Sequence, residues 1–124
     1  MDNFVPSFCT MKILFVEDNL RFVRVAAGQF LKSHEIINAT SVAQGLEQLE
    51  QQVFEVVLID YDLPDGKGDA IAAIASKLTK KPFIVAVSSH EMGNIALRKA
   101  GANAICSKMN FSAISSILER GLSA

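Results

Sequence analysis

The chain has 124 residues, of which 50% are hydrophobic and 20% are charged. This length is typical of one domain, and this composition argues against intrinsic disorder. The formal net charge is -1, so the chain lacks the basic character that nucleic acids and anionic membranes attract.

The cysteines and the N-terminus exclude further classes of protein. Cys9 and Cys106 belong to no C-x-x-C pair, and no histidine cluster accompanies them, which argues against a zinc site. No apolar run reaches the ~20 residues of a membrane span, and the first ten residues lack a signal-peptide pattern. We therefore expect a cytoplasmic protein with reduced thiols, in which residues 1–10 form a flexible tail and residues 11–124 form one domain.

The first third of the chain predicts two strand-helix units. Residues 12–16 form an apolar run that ends at Glu17 and Asp18, which is typical of a buried strand. The following helix has its apolar residues on one face and Asn19 as its cap. Residues 35–40 predict a short second strand, and Ser41 is a suitable cap for a second helix with an apolar stripe from Val42 to Val53.

The middle of the chain contains the clearest strand. Residues 56–59 are all apolar and end at Asp60. A turn with the sequence Pro64-Asp65-Gly66 follows. Residues 69–78 then predict a helix that turns Ile71, Ile74, Ala75 and Leu78 inward.

The last third predicts two more strand-helix units. Residues 83–87 form a buried strand that ends at Ser88, and residues 91–100 form a helix that stops at Gly101. Residues 104–107 form a short fifth strand that ends at Lys108. The closing helix has an apolar stripe of Phe111, Ile114, Ile117 and Leu118.

Five apolar strands that alternate with five helices predict an α/β fold with a parallel sheet covered on both faces. Right-handed crossovers leave few topologies. We expect a three-layer, doubly wound, flavodoxin-like fold with strand order 2-1-3-4-5.

This topology predicts a functional site at the carboxyl ends of the strands. Strands one and three are neighbours, so Glu17, Asp18 and Asp60 should converge and repel one another. A hard divalent cation relieves such repulsion, and these oxygen ligands suit Mg²⁺. Ser88 and Lys108 would add a hydroxyl group and a positive charge, and the whole set suits phosphoryl transfer to a carboxylate.

In this arrangement the chain resembles a response-regulator receiver domain of two-component signalling, with the chemotaxis-type receiver fold. The resemblance covers residues 11–121 and rests on the acidic pair Glu17-Asp18, on Asp60, Ser88 and Lys108, and on the loop from Asp60 to Gly66. Each residue alone also fits a helix cap or an exposed loop. Their order at successive strand ends makes the signal specific.

The resemblance implies a role for each of these residues. Asp60 would be the phosphoacceptor. Mg²⁺ would be held by the side chains of Asp18 and Asp60, by the main-chain carbonyl of Asp62, and through water by Glu17.

The other implied contacts are with the phosphoryl group. Ser88 would donate a hydrogen bond to it, and Lys108 would pair with it. Asp62 and His90 match positions that tune hydrolysis of the phosphoryl group, although His90 also fits an ordinary exposed loop residue.

Two positions depart from the family pattern. Met109 follows Lys108 where the family usually has a cis proline, so we expect a trans bond here. Ile105 stands where the family usually has an aromatic side chain that moves on activation. Both departures weaken the expected coupling between the site and the surface.

The resemblance implies a phosphorelay domain that accepts a phosphoryl group from a histidine kinase or phosphotransfer protein. It would act by contact with a downstream protein target or output domain through the fourth helix, fifth strand and fifth helix. We expect no nucleic-acid binding by this chain alone, no membrane association, and no enzyme activity beyond self-phosphorylation and autodephosphorylation.

Two other functions remain open. One is a protein-interaction module that works without phosphorylation, which Ile105 and Met109 favour. The other is an enzyme on a similar sheet, such as an aspartyl-phosphate phosphatase, for which Asp62 has the required spacing from Asp60, or a flavin protein. The phosphatase is disfavoured because there is no cap domain, and the flavin protein is disfavoured because the loop after strand one is acidic.

Overall fold

The computed structural model describes residues 10–123, and the predicted tail therefore lies outside the described residues except for Thr10. The strands are β1 (Lys12–Val16), β2 (Glu35–Ala39), β3 (Val56–Ile59), β4 (Asp62–Leu63), β5 (Gly66–Lys67), β6 (Phe83–Ala86) and β7 (Ala104–Ile105). The helices are α1 (Leu20–Phe30), α2 (Val42–Gln51), α3 (Asp69–Ala75), α4 (Glu91–Ala100) and α5 (Ile114–Ser123). A 3-10 helix, Lys108–Ala113, precedes α5.

Five strands form one parallel sheet in the order β2-β1-β3-β6-β7. Counted along the chain without the short β4–β5 hairpin, this is the predicted order 2-1-3-4-5. The predicted flavodoxin-like fold is therefore confirmed.

The sheet has a hydrophobic core on each face, because its central strands are apolar on both sides. One core packs β1, β3 and β6 against α1 and α5, with Phe15 and Phe111 stacked at 5.9 Å between their ring centroids. The other packs the same strands against α2, α3 and α4. Cys106 is buried in the first core. The result is three layers, as predicted.

Polar side chains and one glycine fix the helix ends. The side chains of Asn19 and Ser41 accept hydrogen bonds from Phe22 N–H and Gln44 N–H, both at 3.1 Å. Gly101 ends α4 with φ of 132°, a conformation that favours glycine. The predicted caps are confirmed.

Several predicted boundaries and buried positions were wrong. Helix α3 ends at Ala75 rather than at residue 78, because the next turn tightens into bonds from Lys77 N–H to Ile74 O and from Leu78 N–H to Ala75 O. Ile74 is exposed, since the buried face of α3 is centred on Ile71, Ala72 and Ala75. Val53 is also exposed, because it lies beyond the end of α2.

Among residues 10–123, none of the helices has the length and the hydropathy needed to cross a membrane.

Candidate functional site

The site forms where β1, β3, β6 and β7 end at the carboxyl edge of the sheet. Val16 pairs with Ile59 in the register of β1 and β3, so the next residues, Glu17 and Asp60, come level with each other. Ser88 follows Val87, whose N–H donates to Ile59 O at 2.8 Å, and Lys108 follows β7. The topology thus brings together residues that are far apart in sequence.

Three carboxylates converge at this edge. One carboxylate oxygen from each of Glu17, Asp18 and Asp60 lies within 4.8 Å of the others. Glu17 is fully buried and Asp60 is 5% exposed, whereas Asp18 faces solvent. Such an all-oxygen set that is open on one side fits a hard cation such as Mg²⁺, which retains several waters when bound.

Lys108 reaches into the same acidic cluster. Its Nζ lies 2.7 Å from Glu17 Oε1 and 3.1 Å from Asp60 Oδ2, and 5.3 Å from the centroid of the Phe22 ring. Apart from the ion pair, Glu17 Oε1 has no hydrogen-bond partner among the described residues. The ammonium group therefore balances two carboxylates that burial would otherwise destabilise.

Burial and nearby charges shift the pKa values of Glu17 and Lys108. Burial raises the pKa of Glu17, and the nearby Asp60 charge adds to this rise, while Lys108 and the Asn19 N–H oppose it. Burial by itself would lower the pKa of Lys108, but its hydrogen bond to Glu17 and the charges of Glu17 and Asp60 raise it. Lys108 is therefore a stable cation in this site.

Local backbone contacts hold both buried carboxylates in place. Glu17 Oε2 accepts a hydrogen bond from Asn19 N–H at 2.9 Å, and Asp60 Oδ1 accepts one from Tyr61 N–H at 2.8 Å. Each contact uses a residue one or two positions later in the chain. The carboxylates are therefore oriented by the loops that leave β1 and β3.

Ser88 is buried, and both its side chain and its backbone form hydrogen bonds with α4 or the residue before it. Its Oγ accepts a hydrogen bond from His90 N–H at 3.1 Å. Its backbone is bonded to the side chain of Asn94, with Ser88 N–H donating to Oδ1 at 2.9 Å and Nδ2 donating to Ser88 O at 3.1 Å. Asn94 was missed by the sequence analysis, although a polar residue on an apolar helix face was a usable signal.

Asp62 lies at the exposed rim, and its side chain turns toward other rim residues. Its Oδ1 lies 2.6 Å from Lys67 Nζ, and its Oδ2 lies 3.5 Å from His90 Nε2. The hydrogen bond from Lys67 lowers the pKa of Asp62. His90 is exposed, as predicted for a loop residue.

The two positions that depart from the family pattern are both at the surface. Ile105 is 39% exposed and Met109 is 84% exposed. The described residues contain no cis peptide bond, so the Lys108–Met109 bond is trans, as expected. Phe111 fills the core beneath this loop, where its ring packs against Phe15, Phe22 and Phe30.

Gly68 is a second residue that the sequence analysis missed. A Cβ atom at this position would lie 2.0 Å from Asp60 O and 2.7 Å from Ile59 Cγ2. Gly68 N–H donates to Tyr61 O at 2.7 Å. The loop after Asp60 therefore folds back directly onto the backbone of Asp60, and only glycine leaves enough space.

Comparisons with known proteins match the chain to one family. The family described as the response regulator receiver domain matches residues 13–119. No curated protein sequence matches the chain significantly.

Solved structures share the fold. A CheY-like receiver domain protein from Methanospirillum hungatei JF-1 is 22% identical, with a TM-score of 0.74, over 90% of this chain and 96% of that one. The phosphorylated cyanobacterial phytochrome response regulator RcpA is 20% identical, with a TM-score of 0.72, over 92% and 95% of the two chains. The Mn²⁺-bound form of the response regulator Rcp1 is 22% identical, with a TM-score of 0.71, over 86% and 91%.

Proposed function

Because the chain belongs to the response regulator receiver domain family, we propose that it is a phosphoacceptor domain in a phosphorelay. In this proposal Asp60 takes a phosphoryl group from a histidine kinase or phosphotransfer protein in the cytoplasm. The domain, residues 11–124, then signals through contact with a downstream protein or output domain. The observation that carries the proposal is the position of the Asp60 carboxylate, between two further carboxylates and the ammonium group of Lys108.

The proposed reaction forms an acyl phosphate on Asp60. A carboxylate oxygen of Asp60 attacks the phosphorus of a phosphohistidine, so that a new P–O bond forms and the P–N bond breaks. The electron pair of the broken bond stays on the imidazole nitrogen of the donor. Such a transfer depends mainly on positioning and on neutralising charge.

A divalent cation fits the acidic part of this site, and we propose Mg²⁺. The side chains of Asp18 and Asp60, the main-chain carbonyl of Asp62 and, through water, Glu17 would hold it. When bound, it would supply positive charge against the phosphoryl oxygens. The Mn²⁺-bound state of Rcp1 supports a divalent ion in a protein of this fold.

Lys108 and Ser88 contribute the remaining contacts in the proposal. Lys108 Nζ lies 3.1 Å from Asp60 Oδ2, a distance that supports pairing with a phosphoryl group on that residue. The Ser88 hydroxyl would donate a hydrogen bond to a phosphoryl oxygen. We expect no turnover beyond self-phosphorylation and autodephosphorylation.

The first test is phosphorylation by a small donor. We expect acetyl phosphate with Mg²⁺ to add one acid-labile phosphoryl group to the wild-type chain, detected by intact-mass spectrometry. Asp60→Asn should remove the adduct, and chelation of the metal should prevent it. Asp65→Asn is the matched control, because Asp65 bonds to the N–H groups of Val42 and Ala43, away from Asp60.

An unmodified wild-type chain in the presence of Mg²⁺ would overturn the proposal. It would leave the second candidate, a receiver-like module that binds its partner without phosphorylation. The exposed Ile105, in place of an aromatic side chain, favours this second candidate. Equal binding of a partner by the wild type and by Asp60→Asn would support it.

A further inference from the structure

The side-chain amide of Asn94 forms hydrogen bonds with both the N–H and the C=O of Ser88. Asn94 is 5% exposed, and its Oδ1 and Nδ2 bond to the N–H and the C=O of the same residue, at 2.9 and 3.1 Å. The side-chain amide thus bonds to Ser88 in the way that the backbone of a neighbouring strand would. The first turn of α4 is thereby hydrogen-bonded directly to Ser88, two residues beyond the end of β6.

The start of α4 is closely packed against Ser88 and Tyr61. A Cβ atom at Gly93 would lie 2.9 Å from Ser88 Oγ and 2.9 Å from Tyr61 Cβ. Only two residues, Ser89 and His90, separate Ser88 from the start of α4. This packing holds the first turn of α4 against Ser88, so a displacement that the Asn94 amide passes on is not taken up by empty space.

The other route from the site to the surface reaches Ser88 through the backbone, where Lys108 N–H donates to Ser88 O at 3.3 Å. The side chain of Ile105 is aliphatic and partly exposed, and the neighbouring Met109 extends into solvent. By contrast, α4 carries exposed apolar side chains on its outer face, with Met92 76% exposed and Ile95 partly exposed. The helix that is bonded to Ser88 is thus also one that presents an apolar surface.

We propose that Asn94 is a positioning residue that makes α4 move with Ser88 when Asp60 is phosphorylated. The inference rests on the proposed function. In the free site the Ser88 hydroxyl accepts from His90 N–H. When this hydroxyl turns to a phosphoryl oxygen on Asp60, the Asn94 amide carries the backbone displacement into α4, without any contribution from Ile105.

Hydrogen exchange tests this coupling. The full chain is treated with acetyl phosphate and Mg²⁺, and amide exchange is measured over α4, with α2 as the internal reference. In the wild type, phosphorylation should change the exchange rates of α4 by about threefold or more. In Asn94→Leu, which keeps the branch at Cγ but has no amide, the chain should still become phosphorylated while α4 loses this response.

Two further variants sharpen the test. Ile105→Ala should keep the response of α4, because Ile105 is outside the proposed link. Asn94→Asp keeps an acceptor for Ser88 N–H and removes the donor to Ser88 O, so its response should be weakened. Circular dichroism confirms folding, and if Asn94→Leu fails to fold, Asn94→Asp decides the question.

The outcomes separate this inference from the proposed function. A wild-type response of α4 in phosphorylated Asn94→Leu would overturn the role of Asn94 alone. Unchanged amide exchange in α4 of the phosphorylated wild type would likewise overturn the role of Asn94. A wild type that takes up no phosphoryl group would remove the proposed function and this inference with it.

Discussion

At the residue scale, the positive charge on Lys108 sets the charge balance of the candidate site. Its ammonium group lies within 3.1 Å of both Glu17 and Asp60, where it offsets two buried negative charges. A cation bound to the same carboxylates would compete with it. Lys108 should therefore stabilise the metal-free domain and weaken the binding of the proposed metal.

Lys108→Met tests both effects. We expect the free energy of unfolding without metal to fall by about 1–3 kcal/mol, a range that allows for the partial exposure of Lys108. We expect Mg²⁺ to bind more tightly and phosphorylation by acetyl phosphate to slow. Urea denaturation with and without Mg²⁺ measures the first two effects.

Lys77→Met is the control, because Lys77 is an exposed lysine in the turn after α3. It should change neither the stability nor the binding of Mg²⁺ measurably. An unchanged affinity for Mg²⁺ in Lys108→Met would contradict the proposed competition.

At the scale of elements, the short loop between β3 and α3 shapes the site through its backbone. Gly68 lies against Asp60 O and Ile59, so α3 begins immediately beside the candidate phosphoacceptor. The β4–β5 hairpin lies within the same loop and carries Asp62 and Lys67 at the rim. The loop is tightly packed at Gly68 and exposed at its tip.

Gly68→Ala should be strongly destabilising. The new methyl group would meet a backbone carbonyl that cannot move aside, and we expect a loss of about 1–3 kcal/mol. Gly28→Ala is the matched control, since Gly28 lies in α1 with no atom near its Cβ position, and it should stabilise the chain by about 0.5–1 kcal/mol. Urea unfolding midpoints compare the two variants, and equal midpoints would refute the packing argument.

The sequence predicted the five parallel strands and the convergence of Glu17, Asp18 and Asp60, because apolar runs and strand order depend on local pattern and general topology. It did not predict the early end of α3, which results from a tightened turn. The close approach at Gly68 and the Asn94 amide were also missed, since both depend on contacts between elements. The partners of Ser88 could be identified only after α4 was placed beside β6.

At the scale of the whole molecule, the carboxyl ends and the amino ends of the strands carry different groups. The carboxyl edge carries the candidate site. At the opposite edge, His34 Nδ1 accepts a hydrogen bond from Met11 N–H at 3.1 Å, and Glu35 N–H donates to Met11 O at 2.9 Å. These bonds tie the beginning of β1 to the beginning of β2.

The histidine at this edge should make folding sensitive to acid. Burial lowers the pKa of His34, while the charge of Glu55 opposes this effect. The neutral ring is favoured in the folded chain, so the stabilising contribution is complete above the unfolded pKa of about 6.5 and declines as the pH falls below it. The free energy of unfolding should therefore drop less between about pH 8 and pH 5 in His34→Gln than in the wild type.

Urea denaturation at the two pH values measures this difference. All other titrating groups are shared by the two chains, so the difference between their pH dependences isolates His34. Coincident pH dependences would contradict the prediction. Phosphorylation at the opposite edge should remain intact in His34→Gln.

The position of Tyr61 has an optical consequence. Tyr61 is the single tyrosine in the chain, and there is no tryptophan, so ultraviolet emission excited at tyrosine wavelengths comes from one ring. That ring follows Asp60 directly, has Lys67 Nζ 5.2 Å from its centroid, and adjoins Gly93 at the start of α4. The domain thus carries a built-in fluorophore whose intensity should report on the charge state of the site and on the first turn of α4 without any added label.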